Sequence, residues 1–275
     1  MKIVKNLFLV LVMVFTTISC SDDDDNTPSE EHHSTLVLVH GAWQSAFVWD
    51  QVKTKLEKQG HTVIALELLG HGEDNTPVSD ITFKGYVDQV KAVIVGLDTP
   101  VVLVGHSLGG AVITQTASEI PQQIEKLVYV AGFIPKDGKS VLDYSALDTA
   151  SLLPTALEFS ADGSTAAISN AEINIQEIFC QYGSDEDIDV LVEKLKPEPV
   201  AALATPLDYT IDDYTAITNK YYIFTKEDHA ITYPFQQQMA SEAGITNTFE
   251  ISSGHSPFVS KPAELVEIFD AILKN

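Results

Sequence analysis

Hydrophobic positions along this chain alternate between two modes. Short runs rich in apolar or β-branched residues occupy 35–39 (TLVLV), 61–66 (HTVIAL), 100–105, 126–131 (KLVYVA), 220–224 (KYYIF) and 246–251. Runs of this length and composition predict buried strands of a parallel sheet. Helical periodicity fills the intervals at 46–59, 82–97, 108–120 and about 233–243. The second of these puts Phe83, Tyr86, Val87, Val90, Ile94 and Leu97 on one face, and the third stops before Pro121. A last helix is predicted from Pro262, with Ser260 as its cap and Leu265, Ile268, Phe269 and Ile272 at helical spacing. This alternation predicts an α/β fold, a mostly parallel sheet with helices on both faces. In such sheets the ligand crevice lies at the carboxyl ends of the strands. Residues 135–215 break the rhythm with Asp, Ser, Thr and Pro clusters and a helical stretch at 187–195. This insertion leaves directly after a strand end, so it is expected to fold over the crevice as a cap. No linker divides 34–275, and no internal repeat is present.

The amino-terminal end belongs to a different class. Lys2 and Lys5 precede an apolar run at 7–15, then Thr17-Ile18-Ser19-Cys20 and Ser21-Asp22-Asp23-Asp24-Asp25. The run is too short to span a bilayer and reads as a secretory signal, residues 1–19. Residues 17–20 resemble a bacterial lipobox with Thr17 in place of the usual Leu, which implies acylation at Cys20. The Ser and acidic residues that follow resemble the export signal of Bacteroidetes surface lipoproteins. The expectation is an outer-membrane lipoprotein, surface-exposed, touching the membrane only through its lipid; a plain signal peptide cut near Ser19 is the simpler alternative. Residues 20–33 lack apolar periodicity and read as an acidic disordered tether. Glu31, His32 and His33 within it carry metal-ligating groups, but a solvated linker is the preferred reading.

Charge narrows the function. Lys plus Arg is 16 against 39 Asp plus Glu, a net charge of -23, and every one of the cations is lysine. Loss of residues 1–19 would take the charge to about -25. This balance disfavours nucleic-acid binding, which needs basic surface to displace counterions. Without arginine there is no bidentate fork for phosphate or carboxylate, so a neutral or cationic substrate is expected rather than a strongly anionic one. After processing only Cys180 remains, which excludes an intramolecular disulfide and a paired-Cys metal site. It reads as a small buried hydrophobe. No histidine pair has convincing metal-ligand spacing, and no cofactor is expected.

The chemistry concentrates in three loops. Gly105-His106-Ser107-Leu108-Gly109-Gly110 matches G-x-S-x-G, follows an apolar strand and opens a helix, the context in which a serine nucleophile stands on a sharp turn. Gly105 and Gly109 are expected to be small because strand and helix converge there. A serine hydroxyl needs a base. His255, in the loop Ser253-Gly254-His255-Ser256-Pro257, stands in the right place; His229 competes but lies where the acid is expected. Asp228 follows the penultimate strand and would orient the imidazole and stabilise its cation, with Glu227 as the alternative. His40-Gly41-Ala42-Trp43 follows the first strand. In this arrangement the backbone N–H groups of Ala42 and Leu108 are the expected oxyanion donors, each typically worth about 3 kcal/mol. His40 and His106 read as hydrogen-bonded scaffold, and His71 as a loop residue. Trp43, Phe133 and Phe258 are candidate pocket-lining residues, with core packing as the equal alternative.

The segments 36–43 (LVLVHGAW), 102–110 (VLVGHSLGG), 128–135 (VYVAGFIP) and 179–187, with Leu195-Lys196-Pro197 beyond, resemble the hydroxynitrile lyase and methylesterase branch of the α/β-hydrolases. That branch includes plant methyl salicylate-type esterases and bacterial carboxylesterases, some acting on pyrethroids. The resemblance covers about residues 35–273. It implies an α/β-hydrolase fold, a Ser107–Asp228–His255 triad and Ala42 and Leu108 as oxyanion donors. Lyase members typically carry Thr where this chain has Gly41, and Lys after the catalytic His, where it has Ser256. Both departures favour hydrolysis of a small ester over cyanohydrin cleavage. A ligand receptor with an unused triad is the other alternative.

Overall fold

The computed structural model describes residues 33–275. The signal segment, Cys20, and the tether up to His32 lie outside the described residues. Six strands make the main sheet, and the cap interrupts them after the fourth. The first half is β1 (Thr35–Val39), α1 (Asp50–Lys58), β2 (Thr62–Leu66), α2 (Phe83–Val95), β3 (Val101–His106), α3 (Leu108–Glu119) and β4 (Ile124–Val130). The cap contributes α4 (Val141–Ser145), α5 (Leu153–Ala156), β5 (Leu157–Phe159), β6 (Thr165–Ile168), α6 (Ala171–Asn174), α7 (Asp185–Glu193), β7 (Glu198–Pro199) and α8 (Val200–Ala204). The chain then returns through α9 (Ile211–Ala216), β8 (Lys220–Thr225), α10 (Tyr233–Glu242), β9 (Asn247–Ile251), α11 (Pro257–Ser260) and α12 (Pro262–Leu273).

The main sheet runs β2-β1-β3-β4-β8-β9 and is parallel throughout. Each strand's sequence matches its place. In the inner strands β3 and β8 every residue is buried, as the continuous apolar runs require, whereas the edge strands β2 and β9 carry exposed and half-buried positions. Register then sets function. Val39 pairs with Gly105, Gly105 with Tyr129, and Thr225 with Ile251. The carboxyl ends of β1, β3, β4, β8 and β9 therefore share one edge, and the loops bearing Gly41, Ser107, Asp228 and His255 all leave from it. Helix α3 lies against the middle of the sheet, so nearly all its residues are buried and it has no solvent-exposed face.

Three differences from the sequence reading are instructive. The segment 46–59 is two elements, a 3-10 turn over Ala46–Trp49 followed by α1. Ser260 does not cap α12. It ends α11, its hydroxyl donates to the Ser256 carbonyl at 3.1 Å, and α12 starts on Pro262, which has no N–H to cap. The insertion is also more ordered than its composition suggests. It holds a three-stranded antiparallel sheet, β5-β6-β7, whose strands are too short to show a period of two. Two of its helices begin with full capping boxes, Ser140 with Asp143 and Ser184 with Asp187. One hydrophobic core runs from the main sheet into the cap, joining Leu38 and Val104 to Ala166, Phe179 and Leu203. Helix α9 packs on α3, so the chain has rejoined the core before residue 215.

Candidate active site

Ser107 occupies the turn between β3 and α3 with φ +52° and ψ -122°, a conformation that L-residues adopt only when their surroundings impose it. The surroundings here are hydrogen bonds and close packing. The Ser107 carbonyl accepts from Gly110 N–H at 2.9 Å and from Phe133 N–H at 3.0 Å. A β-carbon at Gly105 would stand 2.5 Å from the Gly109 carbonyl, and one at Gly109 would stand 2.6 Å from that of His40. The two glycines thus let helix, elbow and first-strand loop meet, as their spacing predicts.

His255 lies in the loop after β9, fully buried, and its Nδ1 is 2.7 Å from Asp228 Oδ2. The same oxygen accepts from Thr225 Oγ1 at 2.8 Å and Gln236 Nε2 at 3.1 Å, while Oδ1 accepts from the Ala230 and Ile231 N–H groups at 2.8 and 2.9 Å. Five donors converge on one carboxylate, which holds it rigid. Asp228 rather than Glu227 meets the ring. The ring of His229 turns toward the cap, with Nδ1 donating to the Glu177 carbonyl at 2.8 Å. His255 lines one cavity together with Ser107.

Ala42 and Leu108 flank Ser107 in the cavity wall. Gly41 brings the first-strand loop against the elbow: a β-carbon there would be 2.7 Å from Ser107 Cβ and 2.8 Å from His106 Nδ1. The two neighbouring histidines are scaffold. His106 Nε2 donates to the His255 carbonyl at 2.9 Å, and its ring packs between those of His255 and Phe258, at 4.5 and 4.7 Å. Burial, with His255 beside it, holds the His106 pKa well below the ordinary histidine value. His40 accepts from Leu68 N–H through Nε2 at 3.1 Å; burial, with His71 nearby, lowers its pKa to about 3, so the ring stays neutral.

The space around Ser107 has two lobes. The first is bounded by His255, Ser256, Ile168, Phe179 and Leu195; the second by Leu108, Phe133, Val141, Leu153, Leu157 and Leu203. Ala42, Trp43 and Ser107 belong to both. Among the described residues, no lysine or carboxylate lines either lobe. Of the aromatic candidates, Trp43 divides the lobes and Phe133 walls the second. Phe258 touches the first but is chiefly packing, with its ring 4.8 Å from that of Trp49.

A family profile settles the relationship. That of the alpha/beta hydrolase family matches residues 36–268. The chain belongs to this family. Among its relatives, Methylesterase 7 of Arabidopsis thaliana is 29% identical over 246 residues, covering 83% of this chain and 92% of the relative. An extracellular alpha/beta-hydrolase from a Paenibacillus species, described as sharing structural and functional homology with tobacco salicylic acid binding protein 2, superposes with a TM-score of 0.74 at 27% identity, over 87% of this chain and 98% of that one. Polyneuridine aldehyde esterase gives a TM-score of 0.78 at 23% identity over 88% and 99%, a likeness of fold.

Several residues around this α/β hydrolase site were not legible in the sequence. Glu198 is wholly buried and holds His71, Tyr86 and Trp43 together. Nothing in Lys196-Pro197-Glu198-Pro199 distinguishes it from a solvated carboxylate. His71 lies in a loop as expected, but it is buried and paired. Ile168, Leu153 and Leu203 reach the lobes from cap elements whose side-chain directions no periodicity reveals. Cys180 is buried beside Phe179, and burial, with Asp187 nearby, pushes its thiol up to about 12, which keeps it unreactive.

Proposed function

We propose that this protein is a serine carboxylesterase acting on a small neutral ester. The observation that carries the reading is the convergence of an elbow serine with strained backbone and a buried histidine on one cavity, with that histidine's far nitrogen tied to a five-fold bonded aspartate. Ser107 Oγ attacks the ester carbonyl while His255 Nε2 takes its proton, and Asp228 steadies the resulting imidazolium. The Ala42 and Leu108 N–H groups receive the negative oxygen. Collapse of the tetrahedral adduct breaks the bond to the alcohol oxygen, which leaves with the proton from His255. Water, deprotonated by His255, then releases the carboxylic acid and restores Ser107.

The same proton transfer assigns the lobes. The departing alcohol must lie within reach of His255, in the lobe walled by Ile168, Phe179 and Leu195. The acyl group then extends past Leu108 into the lobe of Phe133, Leu153, Leu157 and Leu203. Burying an ion in either lobe would cost several kcal/mol without a partner, which supports an uncharged, largely apolar ester. A carbon–carbon lyase is disfavoured by the crowding at Gly41, where the threonine typical of that branch would press on Ser107 and His106.

A fluorophosphonate probe and a panel of aryl and methyl esters test the proposal. Labelling at Ser107 with ester turnover is expected, and both should vanish in Ser107→Ala. A folded protein showing neither would instead be a ligand-binding member of the fold. An acylated Cys20, a tether over 20–33 and display on the outer membrane complete the reading. Loss of radiolabelled palmitate incorporation in Cys20→Ala tests that part.

A further inference from the structure

Three bonds from the cap converge on one residue of the first-strand loop. Trp43 N–H donates to Glu198 Oε2 at 3.2 Å, Lys196 N–H donates to the Trp43 carbonyl at 3.0 Å, and the Trp43 indole N–H donates to the Ala166 carbonyl at 2.8 Å. Trp43 has φ +64°, a left-handed conformation unusual for a bulky side chain, and such conformations persist only where neighbours over-determine them. Here those neighbours belong to the cap, 123 to 155 positions away along the chain. The residue just before Trp43 is Ala42. The planar peptide between them ties the Trp43 nitrogen to the Ala42 carbonyl carbon and Cα, and the Ala42 nitrogen is bonded to that Cα.

Glu198 is anchored on its other side. Oε1 accepts from Tyr86 OH at 3.0 Å and Oε2 from His71 Nε2 at 2.9 Å. His71 Nδ1 in turn faces the Leu69 carbonyl at 3.0 Å. Both ring nitrogens meet acceptors, so only the imidazolium satisfies both. A buried ion pair is a poor way to stabilise a fold, since well-packed apolar groups do as well; its better-attested use is to hold one register. The register here is that of the cap against the loop carrying the Ala42 amide.

We propose that Glu198, braced by His71 and Tyr86, is a positioning residue for the oxyanion site: through Trp43 it holds the Ala42 N–H in place beside Ser107. This rests on the serine-esterase reading above. The cap is then more than a lid, because its seating completes the transition-state site.

The test uses Glu198→Ala and Glu198→Gln in the purified protein. In Glu198→Ala, kcat on an aryl ester is expected to fall about 10- to 100-fold with KM within about threefold of wild type, the pattern of a displaced transition-state donor. Glu198→Gln keeps an oxygen for the Trp43 N–H and should recover most of that loss. Affinity for a trifluoromethyl ketone, which forms an oxyanion on Ser107, should fall in step with kcat/KM, while inhibition by the product alcohol stays unchanged. Hydrogen exchange at residues 42–44 should speed at least tenfold in Glu198→Ala, with residues 101–106 unchanged. Wild-type kcat in Glu198→Ala, a defect confined to KM, or unaltered exchange at 42–44 would overturn the proposal. Should Glu198→Ala fail to fold, Glu198→Gln carries the same readouts with smaller expected changes, and wild-type values for all of them overturn it. A wild-type protein that neither turns over esters nor labels at Ser107 refutes the esterase reading instead, and exchange at 42–44 then decides separately whether Glu198 holds the loop.

Discussion

Adding one methyl group at Gly41 tests the packing argument for the proposed oxyanion loop. The new β-carbon of Gly41→Ala would lie 2.7 Å from Ser107 Cβ, 2.8 Å from His106 Nδ1 and 3.2 Å from His106 Cε1. None of these neighbours is a flexible tip. Ser107 is held by two bonds to its carbonyl, and the His106 ring is pinned by the His255 carbonyl and packed against Phe258. Relief to an ordinary 3.4 Å contact requires the loop to retreat by about 0.7 Å, and the Ala42 amide moves with it. A displacement approaching 1 Å at a reacting centre costs up to about 100-fold, so kcat is expected to fall about 10- to 100-fold. Overpacking of this kind destabilises by about 1–3 kcal/mol, less than the whole stability of a domain, so the protein should still fold. Steady-state hydrolysis of a p-nitrophenyl ester, read beside the thermal unfolding midpoint, measures both. A Gly41→Ala enzyme with wild-type kcat would refute the reasoning, because the loop would then tolerate a methyl group without disturbing the donor.

Three further predictions follow from the same geometry. Asp228→Asn keeps an oxygen for the Ala230 and Ile231 N–H groups but presents an amide to His255, favouring the wrong tautomer; kcat should fall on the order of 10⁴-fold while the fold survives by circular dichroism. Leu203→Trp fills the proposed acyl lobe, so kcat/KM for an octanoate ester should drop at least tenfold more than for an acetate ester; equal losses would refute the lobe assignment. Stability should fall on both sides of neutrality. His71 is faced by Glu198 from the cap, Glu67 beyond β2, His40 at the end of β1 and Tyr86 from α2; burial opposes its charge, but the carboxylate of Glu198 outweighs this and its pKa is raised. Its contribution is therefore full below the ordinary value of 6.5 and is lost as pH rises through the raised one. His40 and His106 are held neutral by burial, so protonation of the unfolded chain erodes stability as pH falls below 6.5. Urea melts across pH 5 to 10 check both limbs, and His71→Gln should flatten the alkaline one.

Much of this molecule was readable before any coordinates. The inner strands of the sheet follow from apolar runs, because a strand buried on both faces needs nothing more than continuous hydrophobicity. The elbow at Ser107 follows from glycines at fixed offsets between a strand and a helix, a local steric requirement that a few consecutive residues express completely. Asp228 and His255 follow from their positions after the last two strands, and the structure brings both to Ser107's edge of the sheet. The short capped helices and small sheet of the insertion were not readable, because strands of two to four residues carry no period. Nor was Glu198. Its partners Tyr86, His71 and Trp43 stand 112, 127 and 155 positions away, and a carboxylate between two prolines looks the same whether water or three donors surround it. By itself the sequence determined the sheet and the elbow, since each is written in neighbouring residues, and it nominated the candidate triad with Glu227 still open beside Asp228. Only the tertiary structure decided the shape of the two lobes and the clasp between cap and first-strand loop, since those depend on which distant groups meet once water is excluded.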